Sequence, residues 1–153
     1  MKTAEGLLRE KGTEIISVTP ETSIYDALQK MIKNNIGAIL IEDNGEIIGI
    51  WTERDLMRDT LSEGFNPKTA KIKDFMITDL ITANHTDNIY NMMDVFLGKR
   101  LRHLLVKKDE KYIGLLSIGD VVKAQLNEKT KELDELHAMV SWDYYSNWRW
   151  EKK

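Results

Sequence analysis

The chain carries one short pattern twice, 65 residues apart. Residues 49–55 (GIWTERD) recur as residues 114–120 (GLLSIGD), with glycine, a hydroxyl residue and a carboxylate at the same three places. In each copy an apolar stretch typical of a strand ends at the hydroxyl residue, where a helix is predicted to begin. Free N–H groups at a helix start suit an anion, and a carboxylate one turn later can accept bonds from a sugar diol. The pattern therefore predicts two equivalent halves and indicates a nucleotide as ligand.

The repetition extends over residues 16–60 and 81–125, which align without a gap. Few residues are identical, but the types recur in the order β-α-β-β-α. Each copy has a short β-prone stretch, a helix with apolar residues at i, i+3, i+4, i+7 and i+8, two apolar strands, and a final helix. The predicted strands cover residues 15–18, 38–41 and 47–51, and then 80–83, 103–106 and 112–116. Asn44-Gly45 is a strong hairpin signal, whereas the second turn is less specific.

A small sheet with helices on one face has to bury that face, so the two halves are expected to pack about a pseudo-twofold axis as an α/β fold. Residues 62–69 form a polar stretch punctuated by Gly64 and Pro67, which predicts a linker. We expect an N-terminal segment with the first repeat over residues 1–65, the second repeat over 66–126, and a helical, aromatic-rich tail over 127–153.

Composition excludes several classes of protein. No apolar run approaches the roughly 20 residues of a membrane span, and the N-terminal residues lack the apolar region of a secretory signal. The chain has no cysteine, which removes disulfides and thiolate metal sites and fits a cytoplasmic protein. A net charge of −3 argues against a general nucleic-acid binder. We therefore expect a cytoplasmic protein that binds neither membranes nor nucleic acid.

The repeated residues resemble a tandem pair of CBS domains, the Bateman module, over about residues 10–126. The likeness is to small stand-alone bacterial CBS-pair proteins. It is carried in the first copy by residues 34–41 (NNIGAILI) and 52–55 (TERD), and in the second by 99–106 (KRLRHLLV) and 114–123 (GLLSIGDVVK). Two positions depart from the family pattern, which commonly has proline where Leu105 and His85 stand.

The resemblance implies a regulatory protein that is not a catalyst. Such modules bind adenosine-containing molecules such as AMP, ADP or ATP, and sometimes S-adenosylmethionine or a dinucleotide, in clefts between the copies. It also implies a role for each matching position. Asp55 and Asp120 would bond the ribose hydroxyls, Thr52 and Ser117 would face the phosphate, and the backbone around Ile16, Ser17 and Val18 and around Ile81, Thr82 and Ala83 would read the adenine edge.

The two expected clefts differ in charge. Arg102 and His103 are expected to project toward the cleft that Asp55 serves, and Arg54 lies beside Asp55. The equivalent places around Asp120 hold small residues, Gly37, Ala38 and Gly119. Because arginine matches phosphate oxygens with two parallel bonds, we expect the Asp55 cleft to hold phosphates more tightly.

Each functional interpretation has a structural alternative. Asp55 and Asp120 could simply cap the helices that begin beside them, and Arg102 and His103 could be a solvated strand end or pair with acids. Glu53 and Asp55 are two apart on a helix and do not face each other, so they do not predict acid–base catalysis. The run from Gly98 to Arg100 indicates a helix end with Gly98 at the C-cap. The three histidines lack metal-ligand spacing, and no metal is predicted.

The tail is the other unusual feature. After Lys123 the last helix is predicted to continue, with Leu126, Leu133 and Val140 seven residues apart. Aromatic residues then crowd the C-terminus: Trp142, Tyr144, Tyr145, Trp148 and Trp150. They could fold back on their own module, form a homodimer contact, or bind a separate protein target. The sequence thus favours a homodimeric sensor of adenine nucleotides, with a ligand-independent interaction protein acting through this tail as the alternative.

Overall fold

The computed structural model describes residues 1–12 and 14–133, and each repeat has the predicted β-α-β-β-α order. The N-terminal helix α1 spans Ala4–Lys11. The first repeat contains β1 (Ser17–Val18), α2 (Ile24–Asn34), β2 (Ala38–Asp43), β3 (Glu46–Thr52) and α3 (Glu53–Asp59). A single 3₁₀ turn at Ile72–Asp74 precedes the second repeat, which contains β4 (Thr82–Asn84), α4 (Ile89–Lys99), β5 (His103–Lys108), β6 (Lys111–Ser117) and α5 (Ile118–Leu133).

Two three-stranded sheets have the same topology, with orders β1-β2-β3 and β4-β5-β6. In each sheet the first pair of strands is parallel and the second pair is antiparallel. Ser17 pairs with Leu40 in the first sheet, and Thr82 pairs with Leu105 in the second. Both hairpins also shift register at the same place, after Ile41 and after Val106. The repeat is therefore confirmed at the level of strand pairing.

The two hairpins turn through two residues each, both with positive φ. Asn44 and Gly45 have φ angles of 50° and 81°, whereas Asp109 and Glu110 have 50° and 65°. A type I′ turn requires positive φ at both positions and matches the twist of the strands. The second hairpin thus makes the same turn without the glycine that signals it in the first.

Helices α2 and α4 begin directly after their N-cap residues, Ser23 and Asn88. The end of α4 differs from the prediction, because this helix continues past Gly98 to Lys99. Arg100, not Gly98, is the C-cap, with φ of 53° in the left-handed region. The reason lies one residue further on, where the Leu101 N–H donates to the carbonyl of buried Phe96 at 3.0 Å. This Schellman-type bond fixes the end of the helix at position 100.

Each repeat is completed by the segment that precedes the other repeat. Helix α1 packs on the second repeat, where Leu7 and Leu8 join its core cluster. Residues 65–76, between the repeats, pack on the first repeat, where Ile72 is fully buried. Each of the two segments therefore packs on the repeat that it does not directly precede. The expected division of the chain at residues 65 and 126 stays a prediction.

The repeated glycines Gly49 and Gly114 are required by these crossed segments. A Cβ at Gly114 would lie 2.6 Å from Leu8 Cδ2, and one at Gly49 would lie 2.6 Å from Met76 Sδ. Either distance is far inside van der Waals contact, so a side chain at these positions would displace the segment that covers it.

The two positions where the family commonly has proline both use their N–H groups. The Leu105 N–H donates to the Ile81 carbonyl at 3.3 Å, and the His85 N–H donates to the Lys107 carbonyl at 3.0 Å. Proline has no N–H and could make neither bond. His85 also contacts α1, since its Nδ1 lies 3.1 Å from Glu5 Oε2. These departures therefore add strand pairing and a contact to α1.

Helix α5 extends the second repeat, as expected, to Leu133. Leu126 and Leu133 of the predicted apolar seam lie on this helix and are exposed. Val140 and the aromatic residues of the tail lie outside the described residues. Over residues 1–12 and 14–133, no helix has the length and apolar composition needed to cross a membrane.

Candidate functional site

A cavity of about 240 Å³ lies between the two repeats. Its walls are the β3–α3 junction of the first repeat and, from the second repeat, the chain leading into β4 and the start of β5. We call it the Asp55 cavity. Its lining includes Thr52, Arg54, Asp55, Ile81, Arg102 and His103, all of which the sequence analysis singles out. Further lining residues were not anticipated: Ile50, Glu53, Ile77, Asp79, Leu80, Arg100, Leu101 and Leu105.

Asp55 is the one charged residue that is buried in the part of the chain described, with 6% of its surface exposed. It belongs to a capping box, in which the Thr52 N–H donates to Asp55 Oδ2 at 2.9 Å and the Asp55 N–H donates to Thr52 Oγ1 at 3.3 Å. The other carboxylate oxygen, Oδ1, accepts from the guanidinium of Arg58. The helix-capping alternative is therefore realised.

Capping does not exhaust the acceptor capacity of Asp55. An ionised carboxylate offers about four lone-pair sites, and Oδ1 is bonded only to a guanidinium that is itself mostly exposed. Arg58 comes from the same helix as Asp55, and 66% of its side chain is exposed to solvent. A ribose hydroxyl can therefore bond Oδ1 beside Arg58 or in its place.

The charged residues of the lining are three arginines, Arg54, Arg100 and Arg102, and three acidic residues, Glu53, Asp55 and Asp79. Nη1 of Arg102 lies 3.8 Å from Glu53 Oε1, a loose ion pair that joins the second repeat to the first. This distance is long for a hydrogen bond, so the guanidinium keeps donors that can reach a phosphate. Arg100 was not predicted, because the helix was expected to end at Gly98. The apolar residue Leu101, five residues after Phe96, is the signal that could have located the cap.

His103 is polar but uncharged near pH 7. Burial lowers its pKa from 6.5 to about 4, with help from the positive charges of Lys11 and Arg102 and against the opposing effect of Asp120. The imidazole can therefore offer one N–H to a ligand in the cavity but contributes no charge. The positive charge expected from the pair at positions 102 and 103 comes from Arg102 alone.

Apart from Asp79, the remaining wall of the cavity is apolar, and part of it is joined by backbone hydrogen bonds. Ile50 and Ile77 exchange both backbone hydrogen bonds, at 2.9 and 2.8 Å, which joins the chain leading into β4 to β3 at the rim. Leu80, Leu101 and Leu105 extend the apolar surface. Small-molecule sites typically combine such a wall with a few convergent polar groups, in volumes of roughly 300–1,000 Å³. The Asp55 cavity has that composition and is slightly smaller.

The second junction repeats the capping box around Asp120. The Ser117 N–H donates to Asp120 Oδ2 at 2.8 Å, and the Asp120 N–H donates to Ser117 Oγ at 3.1 Å. Its surroundings differ, because Nζ of Lys11 lies 2.8 Å from Asp120 Oδ2 and 3.0 Å from the Leu115 carbonyl oxygen. Sequence analysis did not anticipate Lys11, which lies outside the repeated pattern.

The structure does not bring the other predicted residues to the Asp55 cavity. Ser17 and Val18 line a separate shallow groove, where the Ser17 carbonyl accepts from Lys30 Nζ at 2.6 Å. Ile16, the counterpart of Ile81, packs against the core of the first repeat. In β4, Thr82 is exposed and Ala83 is buried in the second core, because successive strand residues point to opposite faces. Among the described residues, no three His, Cys, Asp or Glu side chains gather as metal ligands.

Comparison with known proteins identifies the class. Residues 11–61 and 72–127 match the family model of the CBS domain, so the chain belongs to the CBS-domain family and carries two copies. It is 36% identical over 131 residues to CBS domain-containing protein CBSX3, mitochondrial, from Arabidopsis thaliana, a match that covers 82% of this chain and 64% of that protein. The chain therefore spans slightly less than two thirds of that relative.

Solved structures give the same result. The crystal structure of the CBS domain protein NE2398 is 37% identical, with a TM-score of 0.76, and the match covers 82% of this chain and 98% of that one. A more distant structure, CBSX2 in complex with AMP, is 23% identical with a TM-score of 0.68, covering 84% of this chain and 99% of that chain. At that level of identity the comparison shows that the two proteins share a fold.

Proposed function

We propose that this protein is a regulatory CBS pair that binds an adenosine nucleotide, AMP, ADP or ATP, in the Asp55 cavity and relays its occupancy through a change in the arrangement of the repeats. The observation that carries the proposal is the cavity itself. It combines an apolar wall, a buried carboxylate and three arginines in one space between the repeats.

Each part of a nucleotide has a matching surface. The adenine ring fits against the apolar wall formed by Ile77, Leu80 and Leu105, because a flat aromatic ring gains most from burial between aliphatic side chains. The ribose hydroxyls bond Asp55. The phosphates meet the arginines, whose planar forks suit phosphate oxygens. CBSX2, which shares the fold, was solved with AMP, a ligand of this class.

Relay follows from the position of the cavity. Its walls come from both repeats, and the loose pair between Arg102 and Glu53 crosses from one to the other. A phosphate that draws Arg102 toward itself competes with Glu53, so bound and free states favour different distances between the repeats. A ligand shifts such an equilibrium by its difference in affinity for the two arrangements.

Substitution of Asp55 tests the proposal. Asp55→Asn keeps the shape of the capping residue but removes the charge, and we expect it to weaken AMP binding by about 1.5–3 kcal/mol, the range for a hydrogen bond to a charged group. Isothermal titration calorimetry with AMP, ADP, ATP and adenosine measures the loss. The matched control is Asp120→Asn, which changes the same position of the other capping box. No binding of any of the four ligands to the native chain, or equal affinity in Asp55→Asn, would refute the proposal.

We also propose that the protein is a homodimer through its helical face. Exposed apolar residues recur at equivalent positions of the two repeats, on their helices or, for Leu61, in the turn just after α3: Ile32 and Leu97, Met57 and Val122, Leu61 and Leu126. A surface with internal twofold symmetry suits an isologous contact with a second copy. Sedimentation of Leu61→Lys tests this, since a charge at one of these apolar positions should yield monomers. A Leu61→Lys dimer would exclude this face as the interface.

The second candidate function is a ligand-independent interaction protein that acts through the aromatic tail, which lies outside the described residues. It is favoured by five aromatic residues within residues 142–150. Deletion of residues 141–153 separates the two candidates, because nucleotide binding should survive it under the first and target binding should be lost under the second. The predicted cytoplasmic location stays a prediction; the relative CBSX3 is named as mitochondrial.

A further inference from the structure

We propose that Lys11 is a specificity-determining residue that excludes ribose from the Asp120 junction, so that each chain binds one nucleotide tightly, in the Asp55 cavity. The inference rests on the proposed function and concerns how many sites a chain offers. It starts from an ammonium group on the carboxylate that the repeat pattern assigns to a second ribose.

Lys11 places an ammonium group against one of the two carboxylate oxygens that a second ribose would use. Its Nζ lies 2.8 Å from Asp120 Oδ2, the same oxygen that accepts the Ser117 N–H, and 3.0 Å from the Leu115 carbonyl oxygen. Asp120 is 28% exposed, so it is neither sealed off nor fully solvated. A ribose diol brings neutral donors, and a charged donor already in place makes the stronger bond.

Helix α1 holds Lys11 at this position. Leu7 and Leu8 are buried in the second core, and Leu8 covers Gly114. At the start of the helix, hydrogen bonds from Lys108 and His85 hold the pKa of Glu5 down to about 2, so this carboxylate stays ionised and paired. After Lys11 the helix ends at Gly12, whose N–H donates to the Leu8 carbonyl at 2.9 Å. The position of the Lys11 ammonium group is therefore set by a helix that is packed and hydrogen-bonded at both ends.

The first repeat has no such lysine. The residue 65 positions after Lys11 is Met76, an uncharged side chain that covers Gly49. Arg58 does contact Asp55, but it comes from the same helix as its partner, and its counterpart there is Lys123 on α5. Lys11 is thus a cation added to the Asp120 junction from a separate element.

Phosphate cannot offset the competition at Asp120. The three arginines of the Asp55 cavity correspond to uncharged residues on the other side: Gly119 for Arg54, Asn35 for Arg100 and Gly37 for Arg102. A nucleotide there would have to displace Lys11 from Asp120 without gaining an arginine. The chain therefore offers one favourable site and one blocked site.

Titration calorimetry with AMP tests the inference. We expect one tight binding event in the native chain, and in Lys11→Met a second event about tenfold tighter than any second event in the native chain. Tenfold is near the low end for a hydrogen bond to a charged group, because both side chains are partly exposed. The matched control is Lys2→Met, which removes a lysine of the same segment that pairs with Glu10 on the exposed side. In the double variant Lys11→Met, Asp120→Asn the second event should disappear.

Other outcomes overturn the inference. Two tight events in the native chain would mean that Lys11 does not block Asp120, and loss of a second event in Lys11→Met would make Lys11 a phosphate ligand. A single event in both native and Lys11→Met chains, with melting temperatures that show both folded, would refute the block while leaving the Asp55 cavity intact. Absence of AMP binding in every variant would instead refute the proposed function, and this inference with it.

Discussion

The Asp55 and Asp120 junctions share a backbone and differ in what surrounds it. In both, the start of the last helix is tied to the start of the central strand, by bonds of 3.0 Å from the Glu53 N–H to Gly37 and of 2.9 Å from the Ile118 N–H to Arg102. Both also have a capping box. Arginines from neighbouring elements converge on one junction, whereas a lysine from α1 covers the other.

A duplicated fold thus keeps its framework through bonds within each repeat and diverges through contacts with distant segments. Strand pairing, turns and caps depend on residues close in sequence and recur at the fixed offset. The Asp55 cavity and the contact of Lys11 with Asp120 depend on which distant segment of the chain packs against each junction. Because this divergence involves few contacts, single substitutions should affect the two repeats differently.

The largest effect is expected where α1 docks on the second repeat. Leu8→Ala removes a fully packed side chain that covers Gly114, and should lower the free energy of unfolding by about 2–5 kcal/mol, the range for such a cavity. The matched change in the first repeat is Met76→Ala, which should cost less because Met76 is only partly buried and flexible. Urea unfolding measures both. An equal loss in the two variants would mean that the crossed segments contribute alike.

The second prediction concerns pH and His103, whose counterpart in the first repeat is Ala38. Folding lowers the pKa of His103 from 6.5 to about 4, so above pH 6.5 both folded and unfolded chains hold a neutral imidazole. Between pH 6.5 and 4 the unfolded chain takes up a proton that the folded chain does not. Stability should therefore fall as the pH decreases through this window, by about 2–3 kcal/mol, and level off below it.

His103→Gln provides the control for this pH effect. Glutamine keeps a polar, uncharged side chain at the site, so the difference in unfolding free energy between native and variant chains isolates the contribution of residue 103. Chemical denaturation at pH 7.5, 6, 5 and 4 measures that difference. A difference that does not change with pH would show that the folded chain protonates His103 as readily as the unfolded chain does.

These two regions mark what sequence could and could not predict. The helix starts at Ser23 and Asn88, the strands and the two capping boxes follow from local patterns, and the structure confirms the fold. The docking of α1 on the second repeat could not be predicted, because Leu7 and Leu8 show an apolar helix face without showing which half it covers. Lys11 was missed for the same reason.

Some residues of the Asp55 cavity could be predicted from the sequence and others could not. Thr52 and Asp55 could be found because they lie in the repeated pattern. Arg102 could be found because it lies just before the central strand of the other repeat. Arg100 could not, since its place depends on the end of α4, which the hydrogen bond from the Leu101 N–H to Phe96 sets. The neutral state of His103 depends on burial by distant elements, a property that local sequence does not carry.

The third prediction separates phosphate contact from the rest of the cavity. Arg102→Ala should weaken ATP binding about tenfold and leave adenosine binding unchanged, because a guanidinium bonds the phosphates and not the nucleoside. Lys99→Ala is the control, since Lys99 ends α4 beside Arg100 and is not among the described residues that line the cavity. Titration calorimetry gives both affinities. An equal loss for adenosine would place Arg102 against the nucleoside or show that it shapes the cavity.

The smallest effect is expected at the two hairpin turns. Glu110 has φ of 65° where the first repeat has Gly45, and a side chain in this region is strained, whereas glycine is not. Glu110→Gly should therefore raise the free energy of unfolding by about 0.5 kcal/mol, because the relief of strain slightly exceeds the added entropy of the unfolded chain. Its ion pair with Lys107 is too exposed to offset this gain. Gly45→Glu should have the opposite sign, and urea unfolding of both variants checks whether the turns are as equivalent as their angles indicate.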